Sequence, residues 1–420
     1  MSKRIEVDLA IIGGGSGGLS VAAGAAQLGA RVVLIEKHKM GGDCLNYGCV
    51  PSKALIAAGE AAQSVRDSGR FGVNGHKPPI DFAKVHAHVH GVISAIAPHD
   101  SVERFEGLGV RVIKASARFK SRDLLEAGGI EIQARRYVVA TGSRAFIPPI
   151  TGLVGVPYLT NETIFDLTEV PAHLIVIGGG PIGLELAQAH RRLGSRVTVV
   201  EVASILPKDD PDAAAVVRAR LRQEGTDILE QATVSTVARD GNGVSLDVMT
   251  GAGTHQIRGT HILIAAGRRP NVLGLNLEAA GIEASPTGIK VDMRLRTTNK
   301  RVFAIGDVAG GYQFPHVAGY HAGIVIRNAL FNLPAKADHS AVPWVTYTDP
   351  ELAHVGLTEA EAKSKDAAAT ALRRPFAEND RAQAERATEG FIKAVVAKGG
   401  RIVGATIVGR HAGELILPWV

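Results

Sequence analysis

The sequence predicts an α/β fold built on two tandem βαβ units, and three observations carry that prediction. An apolar run, Leu9–Ile12, leads directly into a G-x-G-x-x-G cluster formed by Gly13, Gly15 and Gly18. The same arrangement returns as Leu174–Ile177 followed by Gly178, Gly180 and Gly183. In each copy the next β-branched run ends in a glutamate, Glu36 and Glu201. One such cluster is weak evidence, but two complete units in the same internal register are strong.

Each element follows in turn. After the first cluster the Ala-rich stretch Leu19–Leu28 is a predicted helix, Gly29 ends it, and Arg31–Ile35 is the second strand. In the second copy a helix begins at Leu184, Gly194 ends it, and Arg196–Val200 is the strand. Every landmark is displaced by 165 positions: Gly13 to Gly178, Gly29 to Gly194, Glu36 to Glu201. The first glycine permits a tight turn, the second lets a pyrophosphate reach the backbone, and the third lets helix and strand pack closely. The free N–H groups at the helix start then face the phosphates. We read both copies as Rossmann-like dinucleotide-binding domains rather than as two sharp βα turns without a ligand. Glu36 and Glu201 are placed to accept hydrogen bonds from ribose hydroxyls, and an acid at Glu201 repels a 2′-phosphate. That favours NADH over NADPH.

A further echo closes each unit. Tyr137–Arg144 (YVVATGSR) and Ile262–Arg269 (ILIAAGRR) are strands ending in small-residue turns, with Thr141 and Gly142 in the first and Gly267 in the second. From first to closing glycine the first unit spans 129 positions, Gly13 to Gly142, and the second 89, Gly178 to Gly267. The excess is expected to include the stretch just after Glu36.

That stretch holds the only two cysteines of the chain, in Gly41–Lys53, GGDCLNYGCVPSK, with helical character continuing through Ala54–Ala62. Cys44 and Cys49 are thereby expected near a helix N-terminus, which stabilises a thiolate, the nucleophilic form. Three plainer readings compete: a structural zinc site, a structural disulfide, and inert core thiols. Zinc normally needs four ligands and no second cysteine pair is present. A structural disulfide does not suit a reducing compartment, and inert thiols do not require the flanking glycines.

Composition bounds the rest. With 420 residues, 45% of them hydrophobic, the chain can form two or three packed domains. A net charge of +6 spread without a basic block argues against nucleic-acid binding. No secretory leader and no long uncharged apolar run are evident, so a cytoplasmic protein without membrane contact is expected.

GGDCLNYGCVPSK resembles the active-site segment of the class I pyridine nucleotide-disulfide oxidoreductases, the family of dihydrolipoamide dehydrogenase, mercuric reductase and glutathione reductase. The resemblance extends over essentially the whole chain. Ala304–Val308, AIGDV, resembles the second FAD motif, whose aspartate, here Asp307, hydrogen-bonds the ribityl chain. Trp344–Val355 and the stretch to Glu414 resemble the start of the family's dimerisation domain. The resemblance implies FAD on the first unit and NADH on the second, Cys49 as the flavin-proximal thiol and Cys44 as the thiol that meets substrate. It places Lys53 beside the flavin and pairs it with Glu185. A cation there stabilises negative charge on the reduced ring; taken alone, each residue reads as an ordinary surface Lys and helix-face Glu.

The expected organisation is an FAD-binding domain over 1–146 with a return segment over 272–340, an NAD(P)-binding domain over 147–271, and an interface domain over 341–420. The family's acid/base, a His in an H-P-x-x-x-E pattern from the partner subunit, has no counterpart among the 15 histidines. A C-terminally truncated chain with an incomplete interface domain is therefore expected, and a homodimer where the tail is present. His316, just after Asp307, is expected to be structural.

Pro51-Ser52-Lys53 resembles the dihydrolipoamide and mercuric branches more than the glutathione branch, while Asp43 and Tyr47 depart from both common forms of the motif. The expected function is a dihydrolipoamide dehydrogenase-like enzyme acting on a small disulfide or dithiol. The alternatives are a mercuric(II) reductase-like enzyme, for which TYTDPELAHVGLTEAEA speaks, and an FAD- and NADH-binding sensor or diaphorase without disulfide turnover. No bound metal cofactor is expected.

Overall fold

The computed structural model describes residues 3–420. The chain forms two compact units, one made of Met1–Pro51, His90–Ala145 and Arg268–Asp338, the other of Ser52–Val89, Phe146–Gly267 and His339–Val420.

The first unit is organised by a seven-stranded sheet. Its parallel part runs Arg111–Lys114, Val32–Glu36, Lys3–Ile12, Ile130–Val139, with Val302–Ala304 added beside the far end of the last. Leu124–Ala127 and Ala117–Ser121 continue antiparallel from the near end of Ile130–Val139. Val32–Glu36 is buried along its whole length, as a parallel strand covered on both faces must be. One face packs Ile12, Val33, Ile35 and Tyr137 against Val302 and Leu275. The other packs Leu9, Ile11, Leu34 and Phe303 against the helices Ser16–Gln27 and Pro315–Phe331. The first strand extends six residues before the predicted Leu9, because KRIEV pairs with Ile130–Ala134 despite its polar residues.

The second unit repeats the order. Its parallel strands run Asp227–Leu229, Arg196–Val200, His173–Ile177, His261–Ile264. The antiparallel meander Thr233–Asp240, Gly243–Thr250, Gly253–Gly259 packs Val237, Leu246 and Val248 onto Ile175 and Ile262. The helix begins at Pro181 rather than Leu184, since proline suits the first helical position, where its missing N–H is not needed. The unit also carries a five-stranded antiparallel sheet ordered Trp344–Thr346, Glu351–Gly356, Ile402–Gly409, Phe391–Val396, Thr370–Pro375. Beside it lies the helix Glu359–Lys365, closed by a reciprocal Thr358/Glu361 capping box.

The excess length of the first copy sits where expected. From Glu36 to the next parallel neighbour at Arg111 is 75 positions, against 26 from Glu201 to Asp227. The cysteine-bearing helices Gly42–Tyr47 and Cys49–Asp67 open this insertion.

Candidate functional site

Steric demands make the first and third motif glycines of both copies irreplaceable in the same way. Gly13 has φ +111°, and a Cβ there would lie 2.3 Å from the carbonyl O of Ala140; Gly178 has φ +118° and would meet Ala265 O at 2.4 Å. A Cβ on Gly18 would sit 1.8 Å from Gly13 O, and one on Gly183 2.1 Å from Gly178 O. Side chains at these positions would push helix from strand.

The helices Ser16–Gln27 and Pro181–Arg192 begin at Gly15 and Gly180, both with extended backbone and no side-chain cap, and neither has an acid in its first turn. Their leading N–H groups are thus left for an anion. A dinucleotide pyrophosphate fits this cradle in each unit. Glu36 Oε2 accepts from Gly14 N–H at 2.7 Å and its Oε1 from His38 N–H at 2.6 Å. Glu201 does the same with Gly179 N–H at 2.6 Å and Ala203 N–H at 2.8 Å.

The cysteine segment rests directly on the first loop. Gly41 N–H donates to Gly14 O at 2.9 Å, and a Cβ on Gly42 would come within 2.6 Å of Gly15 Cα. Gly41 and Gly42 both have positive φ, which turns the chain sharply into the helix carrying Cys44. Cys49 is the first residue of the next, 19-residue helix, with Gly48 alone between the two helices.

Cys44 and Cys49 are not joined by a disulfide and lie within hydrogen-bonding reach of one another, and the Ser16 hydroxyl also reaches Cys44. The neighbouring Cys49 sulfur, followed by burial, pushes the Cys44 thiol well above its ordinary range. The expectation of a lowered pKa therefore fails for Cys44. Its helix is short, and a second sulfur at this distance outweighs a helix terminus.

Around the closing turn, Thr141 donates its hydroxyl to Asn271 O at 2.7 Å, and Asn271 N–H donates to Gly142 O at 2.9 Å. Asp307 Oδ2 accepts from the Ser143 hydroxyl at 2.5 Å. Burial raises the Asp307 pKa, while Ser143 and Arg268 act against the rise. Arg268 donates from Nε to Ser143 Oγ at 2.7 Å and reaches Asp43 Oδ2 at 3.2 Å. Sequence reasoning passed over Arg268, Ser143 and Asn271, although Ser143 and Arg268 stand in the paired YVVATGSR and ILIAAGRR segments. His316 stacks on Phe314, with ring centroids 5.3 Å apart.

In the second unit Lys53 Nζ meets Glu185 Oε2 at 2.7 Å, as the resemblance implied. Glu185 is buried, and its Oε1 accepts from Tyr347 N–H at 2.9 Å. The Tyr347 ring lies 4.3 Å from Lys53 Nζ, a cation–π contact that sequence reasoning missed. Gly267, with φ +115°, closes its strand and accepts from Phe146 N–H at 2.9 Å.

Among the described residues no group of three or more His, Cys, Asp or Glu is placed to hold a metal ion. No helix among them is long and apolar enough to cross a membrane.

Comparison with known proteins agrees with this geometry. The model of the pyridine nucleotide-disulphide oxidoreductase family matches residues 7–322, and that of the family's dimerisation domain matches 342–419. The latter match gives no evidence for the expected truncation. The chain is 36% identical to a mercuric reductase of Streptomyces lividans, covering 97% of this chain and 88% of that one. It is also 36% identical to a dihydrolipoyl dehydrogenase of Geobacillus stearothermophilus, covering 98% and 88%. Among solved structures it resembles the HOCl-induced flavoprotein disulfide reductase RclA of Escherichia coli, with TM-score 0.87 and 30% identity over 98% of this chain and 92% of that one. LpdA of Mycobacterium tuberculosis superposes with TM-score 0.89 and 28% identity over 99% and 92%. With two dinucleotide folds, a dimerisation domain and a dithiol seated on the first glycine loop, the chain belongs to the pyridine nucleotide-disulphide oxidoreductase family.

Proposed function

We propose that this FAD-dependent enzyme links NADH to a small disulfide or dithiol through Cys44 and Cys49, in the manner of a dihydrolipoyl dehydrogenase. The carrying observation is the contact of the Cys44 and Cys49 thiols beside Ser16, in a segment that rests on the loop formed by Gly13, Gly15 and Gly18. Bound FAD supplies a two-electron carrier between the nicotinamide and this sulfur pair. The amides at the start of Ser16–Gln27 hold its pyrophosphate, Glu36 its adenosine ribose, and Asp307 its ribityl chain beside the turn at Thr141 and Gly142. The glycines at 178, 180 and 183 and the acid at 201 do the same for the nicotinamide dinucleotide, with Gly267 at the closing turn.

In the reductive direction the Cys44–Cys49 disulfide gains two electrons and two protons to become the dithiol. Cys44 then attacks one sulfur of the substrate disulfide, and its proton leaves with the displaced sulfur as the first substrate thiol. Cys49 attacks the resulting mixed disulfide, which releases the second substrate thiol and restores the Cys44–Cys49 bond. A shift of about 30 mV changes this two-electron equilibrium roughly tenfold, so flux can run either way. Lys53, held by Glu185, has the part of the cation that stabilises the reduced flavin. The dimerisation domain supports a homodimer.

A second reading, reduction of Hg(II), is favoured by the equal identity to a mercuric reductase and by the affinity of paired thiolates for soft ions. The test is anaerobic addition of two electrons to the FAD-loaded protein, followed by turnover with lipoamide or Hg²⁺. A long-wavelength thiolate–flavin absorption band, lost in Cys49→Ser, is expected, together with lipoamide turnover driven by NADH. Absence of the band in the unaltered protein would refute the cysteine relay. Turnover of Hg²⁺ but not lipoamide would select the second reading.

A further inference from the structure

We propose that Asp43 and Arg268 clamp the turn between the two cysteines and so set how readily Cys44 and Cys49 close their disulfide. The inference rests on the redox reading of that pair.

Arg268 is a fixed anchor rather than a mobile surface charge. Its side chain is 12% exposed, and it donates from Nε to Ser143 Oγ at 2.7 Å and from Nη2 to Ser143 O at 3.1 Å. Nε also stands 3.8 Å from Asp307 Oδ2. From this anchor Nη2 reaches Asp43 Oδ2 at 3.2 Å. Asp43 immediately precedes Cys44, and its carboxylate lies against Gly48, the one residue joining the two cysteine helices. A Cβ on Gly48 would meet Asp43 O at 3.0 Å, Asp43 Oδ2 at 3.1 Å and Cys44 Cα at 3.2 Å.

A disulfide tolerates only a narrow range of Cα separations and dihedral angles. The backbone at Gly48 decides whether Cys49 presents its sulfur to Cys44 within that range. Two thiols held in place react at a high effective concentration. Loosening the turn therefore favours the open dithiol. Asp43 and Arg268 are positioning residues that act through Gly48.

Charge alone predicts a different pattern. Removing the Asp43 carboxylate would ease thiolate formation and favour the dithiol, whereas removing the Arg268 cation would oppose it. A clamp predicts the same direction for both.

The FAD-loaded protein is equilibrated in mixtures of reduced and oxidised dithiothreitol, and free cysteines are trapped by alkylation and counted by mass. Closing the Cys44–Cys49 bond releases two protons and gives two electrons to oxidised dithiothreitol, whose own S–S bond opens to two thiols. Asp43→Asn and Arg268→Met are each expected to move the equilibrium about tenfold towards the dithiol, roughly 30 mV, and the double variant no further. Arg268→Lys, which keeps the charge without the planar fork, is expected to shift it less, and it replaces Arg268→Met should that variant lose FAD. The clamp is wrong if Asp43→Asn leaves the equilibrium in place, if Arg268→Met shifts it the opposite way, or if the two shifts add. Failure of the unaltered protein to form any Cys44–Cys49 disulfide would instead sink the underlying redox reading.

Discussion

Lys53 and Glu185 stand 132 positions apart in the chain, yet Nζ of one meets Oε2 of the other at 2.7 Å, and the second carboxylate oxygen is taken by Tyr347 N–H. The two partners differ in exposure: the Lys53 side chain is 38% exposed and that of Glu185 7%. Removing the lysine strands a buried carboxylate, whereas removing the charge of the glutamate leaves a lysine that water can reach. Lys53→Met is expected to cost ~2 kcal/mol, less than breaking a fully buried pair because water screens the exposed lysine. Glu185→Gln keeps an acceptor for Tyr347 and should cost ~1 kcal/mol. Urea unfolding measures both, and equal losses would contradict the asymmetry.

The raised Cys44 thiol has a consequence for alkylation of the reduced protein. Because Cys49 is the largest cause of the rise and burial the second, Cys49→Ser should lower the Cys44 pKa part of the way back. Cys44 in that variant is expected to react with iodoacetamide faster at a given pH than Cys44 in the reduced parent. An unchanged rate-against-pH curve would show that burial alone sets the value.

His190 gives the second unit an acid-sensitive point. It is fully buried, its Nδ1 lies 2.8 Å from Leu186 O, and Nε2 has no partner among the described residues. Burial pushes its pKa down to about 4. Below pH 6.5 the unfolded chain takes up a proton that the folded chain refuses until about pH 4. Stability should therefore fall by about 3 kcal/mol across that window and not further below it on this account. His190→Leu is expected to remove that part of the slope, whatever it does to absolute stability. Denaturant midpoints between pH 7 and 4 decide the matter.

Glu201 should govern nucleotide choice. Its carboxylate is fixed by Gly179 and Ala203 N–H beside the second glycine loop, where a 2′-phosphate would meet a negative charge. The KM for NADPH is expected to exceed that for NADH about tenfold or more, a difference of roughly 1.4 kcal/mol, and Glu201→Gln should narrow the ratio. Equal use of both nucleotides by the unaltered enzyme would remove this role from Glu201.

Legibility in the sequence followed physical constraint. The two glycine loops were readable because backbone contacts exclude any side chain at Gly13, Gly18, Gly178 and Gly183, so the spacing cannot drift. The cysteine insertion was readable as surplus length after Glu36. The Lys53–Glu185 pair came from resemblance, and its third member, Tyr347, contributes a backbone N–H that no residue type announces. Arg268 and Asp43 lie 225 positions apart and carry no periodicity. The direction of the Cys44 shift was misjudged because spacing along the chain shows that two sulfurs are close, not that they touch.

The carboxylates of Glu36 and Glu201 tie down their glycine loops through hydrogen bonds made within the chain. Glycine-rich backbone is the most expensive to order, at about 1–2 kcal/mol per residue for an ordinary backbone and more for glycine. These bonds supply part of that ordering from within the chain, so less of it is left for an arriving dinucleotide to provide. More of its binding free energy is then left for telling one nucleotide from another.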